Sequence, residues 1–282
     1  MNISKENKLN NLLPKIAILG CGWLGLPLAE HLLTLGYKIN GSTTTVHKLA
    51  ELSYKNISPF LIHLNPGLKF EHSKDFFNVD ILIINIPPKL KARDGSFHLA
   101  QIDNVLQAVK KSSIRNIIFV SSTSVYPDLN KEVKESDVEN IGDAESKTIF
   151  EVESKIRSLQ HIPHLIIRCA GLTGYDRILI KHFAGKQNLL GGANPVNLIH
   201  RDDVIGIISQ LIQKDIWNHT LNICAPLHPT RKDFYTHLAE RYNFEMPYFS
   251  LEKSDFKIIN IEKLQSLINY SFVYPDPMLF DY

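Results

Sequence analysis

Short apolar, β-branched runs alternate along the chain with stretches whose apolar positions recur every three or four residues. "KIAILG" precedes a helical pattern over residues 23–35, and "YKINGST" precedes another over 46–54; "FLIHL" and "DILIINIPP" follow as further strands. The periodicity predicts helices over 97–111 and 144–159 on either side of the strand-like "RNIIFVSSTSVYP", with "HLIIRCAG" as another buried strand. Strands that are apolar on both faces and separated by helices predict an α/β fold, a doubly wound parallel sheet of the Rossmann type. After Gly174 the texture shifts to the Gly- and Asn-rich "GKQNLLGGANP", a helix over 202–213, the strand "TLNICAP" and a mixed tail. The expected organisation is a tail over 1–12 and a dinucleotide-type domain over 13–171, completed by 196–225. Segments 172–195 and 226–282 are expected to form a smaller substrate-side lobe.

Gly20, Gly22 and Gly25 are spaced G-x-G-x-x-G between the first strand and the first helix, which is the context a dinucleotide-binding turn requires. Gly20 permits the tight turn, Gly22 lets backbone approach a pyrophosphate, and Gly25 lets the helix lie close to the strand. Pro27 is tolerated only in a first turn, so the helix begins near Trp23 and Leu24 with its N-terminus toward the phosphates. A helix-packing turn without ligand is the plainer alternative. Between His31 and Ala50 there is no Asp or Glu to accept from a ribose 2′-OH. Ser42, Thr43, Thr44 and Lys48 stand there instead, a set that suits a 2′-phosphate, so the expected cofactor is NADP, with NAD as the alternative. The same hydroxyls also suit a helix cap, with Lys48 on a solvated face.

With 31 Lys and Arg against 29 Asp and Glu, the formal charge of +2 offers no reason to expect nucleic acid or an anionic membrane. The expected partner is a small molecule, and the expected state a cytoplasmic monomer or homodimer. Three cysteines without C-x-x-C suggest neither a disulfide framework nor a zinc knuckle, and the 12 histidines show no H-E-x-x-H, so no metal is expected.

"GCGWLGLP", "SSTSVYP", "IIRCAGLTG" and "NLIHRDDV" occur in this order, and the chain from Lys15 to about Pro226 resembles the extended branch of the short-chain dehydrogenase/reductase superfamily, the epimerase-like and dehydratase-like proteins. The turn resembles that of an atypical bacterial subgroup. The resemblance implies an NAD(P)-binding Rossmann domain with Ile86, Pro87 and Pro88 bordering the adenosine-ribose side. It implies Ser122 as the active-site hydroxyl, with Thr123 if the register slips by one. Such a hydroxyl at a strand's carboxyl end suits a substrate carbonyl or alcohol.

The superfamily's Tyr-x-x-x-Lys pair is missing, because no tyrosine here has Lys four residues later. "ESKTIFEVE" sets Lys147 on the family lysine and Asp143 on the tyrosine position. Asp143 is read either as a weak general base or as a helix cap paired with Lys147; Lys147 either as a ribose ligand or as a solvated helix residue. Tyr126 is a substitute acid or a packing residue. Arg168 and the group Arg201, Asp202 and Asp203 are expected in structural pairs, with His200 and Arg201 bordering the substrate pocket in the family. Two functions follow: an NAD(P)-dependent oxidoreductase or epimerase-like enzyme, and an NADP(H)-binding sensor without turnover.

Overall fold

Apolar strands buried on both faces require helices on both sides, and the computed structural model, which describes residues 13–67, 73–88 and 94–282, has that arrangement. The expected tail over 1–12 lies outside the described residues. In chain order β1 (Lys15–Leu19), α1 (Gly25–Thr34), β2 (Lys38–Thr43), α2 (Lys48–Tyr54) and β3 (Ser58–Leu61) form the first half. The second half has β4 (Ile81–Ile84), α3 (Gly95–Lys110), β5 (Asn116–Ser122), the short β6 (Lys131–Val133), α4 (Lys147–Arg157) and β7 (His164–Cys169). The remainder comprises β8 (Gly171–Thr173), β9 (Leu198–His200), α5 (Arg201–Gln213), β10 (His219–Ile223), α6 (Arg231–Tyr242), β11 (Lys257–Ile259) and α7 (Glu262–Ile268).

The main sheet has seven parallel strands in the order β10-β7-β5-β4-β1-β2-β3. Strand order reverses between β1 and β4, so the loops after these strands diverge and leave a crevice at their carboxyl ends. Alternation along β1 sends Ile16 and Ile18 into the layer with Leu28 and Leu32 of α1, and Ala17 and Leu19 into the layer with Ile102 and Val105 of α3. A third cluster contains Phe234, Leu238 and Phe280. Within 226–282, Leu264 and Ile268 of α7 pack into the first layer, and β11 pairs with β6. Among the described residues no helix is long and apolar enough to cross a membrane.

A buried polar network joins the strands on the far side of the crevice. Glu153 of α4 accepts from Ser121 Oγ (2.6 Å) and from Arg168 Nη2 (2.7 Å), with both side chains of the ion pair 1% exposed or less. Arg168 also donates to Tyr126 Oη (2.7 Å), and that hydroxyl donates to Asn222 Oδ1 (2.7 Å), so α4, β5, β7 and β10 share one set of bonds. Arg168 is thus paired as expected for a charge inside an apolar strand. Removing one partner leaves the other buried and uncompensated. Glu153→Gln is therefore expected to destabilise the protein by about 3–5 kcal/mol, while the double change Glu153→Met with Arg168→Met costs clearly less. Urea denaturation of the three proteins measures this; equal losses for the single and double variants would contradict it.

Candidate functional site

The glycine turn is held from two neighbouring strands. Gly20 has φ +109°, and a Cβ there would stand 2.5 Å from the Asn85 carbonyl oxygen, so both backbone angle and space demand glycine. Its N–H donates to Ser42 Oγ (2.9 Å), the Cys21 N–H donates to the Ser42 carbonyl (2.8 Å), and Asn85 Nδ2 donates to the Gly20 carbonyl (3.0 Å). A Cβ on Gly25 would lie 2.1 Å from the Gly20 oxygen, which is how closely α1 packs on the end of β1. Gly22 differs: its Cβ position meets nothing within 4 Å. Among the described residues the N–H groups of Gly22, Trp23 and Leu24 have no backbone acceptor. An open face above unpaired amides at a helix N-terminus fits a pyrophosphate. The helix itself starts at Gly25 with Leu24 as N-cap, and Pro27 still falls in its first turn.

This turn forms one wall of a cleft of about 800 Å³ at the carboxyl ends of the strands. Gly20, Gly22, Trp23 and Leu24 line it on one side, and Ser42, Thr43, Thr44 and Lys48 line the end beyond β2. Ile86, Pro87 and Pro88 line it after β4, and Ser122 after β5. No Asp or Glu is among the lining residues described, and Lys48 and Arg177 are its permanently charged cations. Ser42 is 3% exposed and its oxygen is taken by Gly20, so it positions the turn. Thr43 Oγ1 accepts from Thr45 N (3.1 Å), leaving Thr44 and Lys48 exposed at that end.

Strand alternation separates two adjacent hydroxyls. Ser121 donates inward to Glu153, whereas half-buried Ser122 accepts from Ser124 N (3.1 Å) and Ser124 Oγ (2.9 Å). Ser122 therefore keeps its own proton for a ligand. Thr123 is buried in the following 3-10 turn and lies outside the cleft lining.

Asp143 and Lys147 are placed differently from the expectation. The helix begins at Lys147, not Ala144, because residues 141–143 form a separate 3-10 turn. Exposed Asp143 accepts from Asn140 N (3.0 Å) and so closes that turn, while Ser146 is the N-cap of α4. With Asp143 outside the helix, the i,i+4 spacing no longer brings it beside Lys147. Neither residue lines the cleft; the α4 residue that does is Ile149, two positions on. Tyr126 is fully buried outside the cleft lining, and its hydroxyl proton is committed to Asn222 Oδ1 while Arg168 donates to its oxygen, so it reaches no ligand in the cleft; burial pushes its phenol up to about 12.

His200 caps α5, accepting from Asp202 N (3.3 Å), and lies against the Tyr274 ring at 3.8 Å between centroids. Burial pushes its imidazole below the ordinary value. Asp203 accepts from Tyr270 Oη, Val273 N and Tyr274 N and so anchors the C-terminal segment, with no ion pair among the described residues. Sequence reasoning missed Asn85 and Arg177. The first is a polar residue ending an apolar strand, a signal available in "ILIIN"; the second sits in an irregular loop with no pattern to mark it.

No family model matches the chain. Over 270 residues it is 35% identical to Protein YeeZ of Escherichia coli (strain K12), covering 94% of this chain and 98% of that protein. Its fold matches UDP-glucuronic acid 4-epimerase from Bacillus cereus, solved in complex with NAD, at a TM-score of 0.75 and 20% identity, over 95% of this chain and 97% of that one. The UDP-Glc/GlcNAc 4-epimerase of Campylobacter jejuni gives 0.76 and 14%, over 94% and 96%. At these identities the likeness is one of fold.

The glycines make a separable prediction. Gly25→Ala is expected to lower stability by at least ~2 kcal/mol, since its methyl overlaps the Gly20 carbonyl. Gly22→Ala should stay within about 0.5 kcal/mol of the parent. Thermal unfolding of both variants checks this, and a reversed order would contradict the geometry.

Proposed function

The chain belongs to the family of Escherichia coli Protein YeeZ and has the fold of the extended short-chain dehydrogenases/reductases, and on that premise we propose that it is an NADP(H)-dependent oxidoreductase or epimerase-like protein acting on a small molecule. The observation that carries this reading is the carboxylate-free cleft, which runs from Thr44 and Lys48, past the open face of Gly22, to Ser122. Diphosphate binding falls to the amides of Gly22, Trp23 and Leu24, which need no reorganisation because Ser42 and Asn85 already hold the turn. Lys48 and Thr44 hold the 2′-phosphate as cation and hydroxyl donor. Ile86, Pro87 and Pro88 cover the adenosine-ribose side.

A bound nicotinamide supplies or accepts a hydride at ring C4. Ser122 donates a hydrogen bond to the substrate's carbonyl or alcohol oxygen. Exposed Ser124, whose Oγ lies 2.9 Å from Ser122 Oγ, links that oxygen to solvent and so offers a proton route that does not use α4. With Ile149 facing the cleft, α4 has neither acid nor base to contribute there. This same residue, together with the locked Tyr126, favours a second reading in which NADP(H) occupancy is sensed without turnover.

Isothermal titration should show NADP+ binding at least about tenfold more tightly than NAD+. Gly22→Val should abolish both, because its side chain fills the space above the amides. Thr44→Asp should shrink or reverse the preference, since a carboxylate repels the 2′-phosphate and accepts from a free 2′-OH. Equal affinities in the parent, or an unchanged ratio in the variant, would contradict the proposal. NADPH oxidation with small carbonyl compounds, lost in Ser122→Ala, separates the enzyme from the sensor.

A further inference from the structure

Exposed Arg177 lines the cleft with no carboxylate within 4 Å among the described residues. Its Cζ lies 4.0 Å from the centroid of the Trp23 ring, and Arg201 Cζ lies 5.0 Å from the same indole and 4.1 Å from the Tyr175 ring. Neither neighbouring carboxylate forms an ion pair with Arg177. Asp176 accepts from Trp23 Nε1, and Asp202 accepts from the Tyr175 hydroxyl, standing 3.9 Å from Arg201 Nε. Partial burial pushes the Arg177 guanidinium below its ordinary value, the Asp176 carboxylate offsets part of that shift, and the neighbouring Arg201 adds to it.

Stacking on an indole fixes the plane of a guanidinium while leaving its N–H edge free to donate. Asp176 fixes the indole in turn. The arrangement therefore presents one forked donor, that of Arg177, in the wall that carries the glycine turn, while Arg201 stands behind it with its Nη1 donating to the Trp23 carbonyl (3.4 Å).

We propose that Arg177, backed by Arg201 on the shared Trp23 platform, is an anion subsite, and that the small-molecule substrate carries a phosphate or carboxylate group that docks there. The proposal rests on the cofactor reading above, since it assigns this cation to the substrate and leaves the cofactor to the glycine turn and Lys48. A compact oxyanion matches the fork of a guanidinium through two parallel hydrogen bonds. The other source of the same chemistry is the cofactor's own pyrophosphate, because Trp23 belongs to the turn.

The chain has two tryptophans, so in a Trp217→Phe background Trp23 is the sole indole reporter. Its emission is followed while inorganic phosphate is titrated, at constant ionic strength, into protein with and without saturating NADP+; calorimetry in phosphate-free buffer gives the NADP+ affinity separately. The expected result is a saturable change that persists with NADP+ bound and weakens at least about tenfold in Arg177→Gln, while NADP+ affinity changes less than about threefold. Absence of a saturable response in the parent would overturn the proposal. So would a response abolished by NADP+, or an Arg177→Gln variant that loses NADP+ affinity as strongly as phosphate affinity, either of which assigns the cation to the pyrophosphate. If NADP+ fails to bind while phosphate still responds through Arg177, the subsite stands and the cofactor reading falls.

Discussion

Two hydrogen bonds to one glycine set the geometry on which the site depends. Gly20 donates to Ser42 Oγ from the end of β2 and accepts from Asn85 Nδ2 beyond the end of β4, so the turn after β1 is fastened to both of its neighbours in the sheet. Such a tie holds only where strand order reverses, because only there do the loops on either side diverge and leave the turn's outer face open. With its inner groups satisfied, the turn directs the amides of Gly22, Trp23 and Leu24 outward. Gly25 then lets α1 press against the turn, and the helix axis points at the same opening.

The opposite end of the cleft is made rigid by different means. Ser121, Glu153, Arg168, Tyr126 and Asn222 share one buried chain of hydrogen bonds across β5, α4, β7 and β10. A paired charge of this kind contributes little net stability, but breaking it is costly, so it holds the register of its elements. Its consequence for the site is a division of labour between neighbours: Ser121 is committed to the core, and Ser122 remains available to the cleft. It also takes Tyr126 out of the chemistry. The described lining of the cleft then has hydroxyls and cations and no carboxylate, a composition that favours anionic ligands.

How far this was legible in the sequence varies with the range of the interaction. The strands and the first helix follow from short-range periodicity, and the context of Gly20, Gly22 and Gly25 between them carried the turn. Ser42 shows the limit: its position after β2 is readable, but its bond to Gly20, 22 residues away in sequence, is a tertiary fact. The register of α4 failed for a local reason, since "ENIGDAESK" holds two competing starts and the 3-10 turn closed by Asp143 displaces the helix to Lys147. Ile149 therefore faces the cleft. Helix α6 and the placement of α7 in the main core were unreadable because polar, weakly periodic segments are settled by what they pack against.

The central claim is that the outward amides of the glycine turn hold the diphosphate of a dinucleotide. Amide chemical shifts of 15N-labelled protein, recorded as NADP+ is added, test it most directly. The account predicts the largest saturable shifts at Gly22, Trp23 and Leu24, with the Gly20 amide, already bonded to Ser42, moving little. Binding that leaves those three amides unmoved and shifts another part of the chain would contradict it.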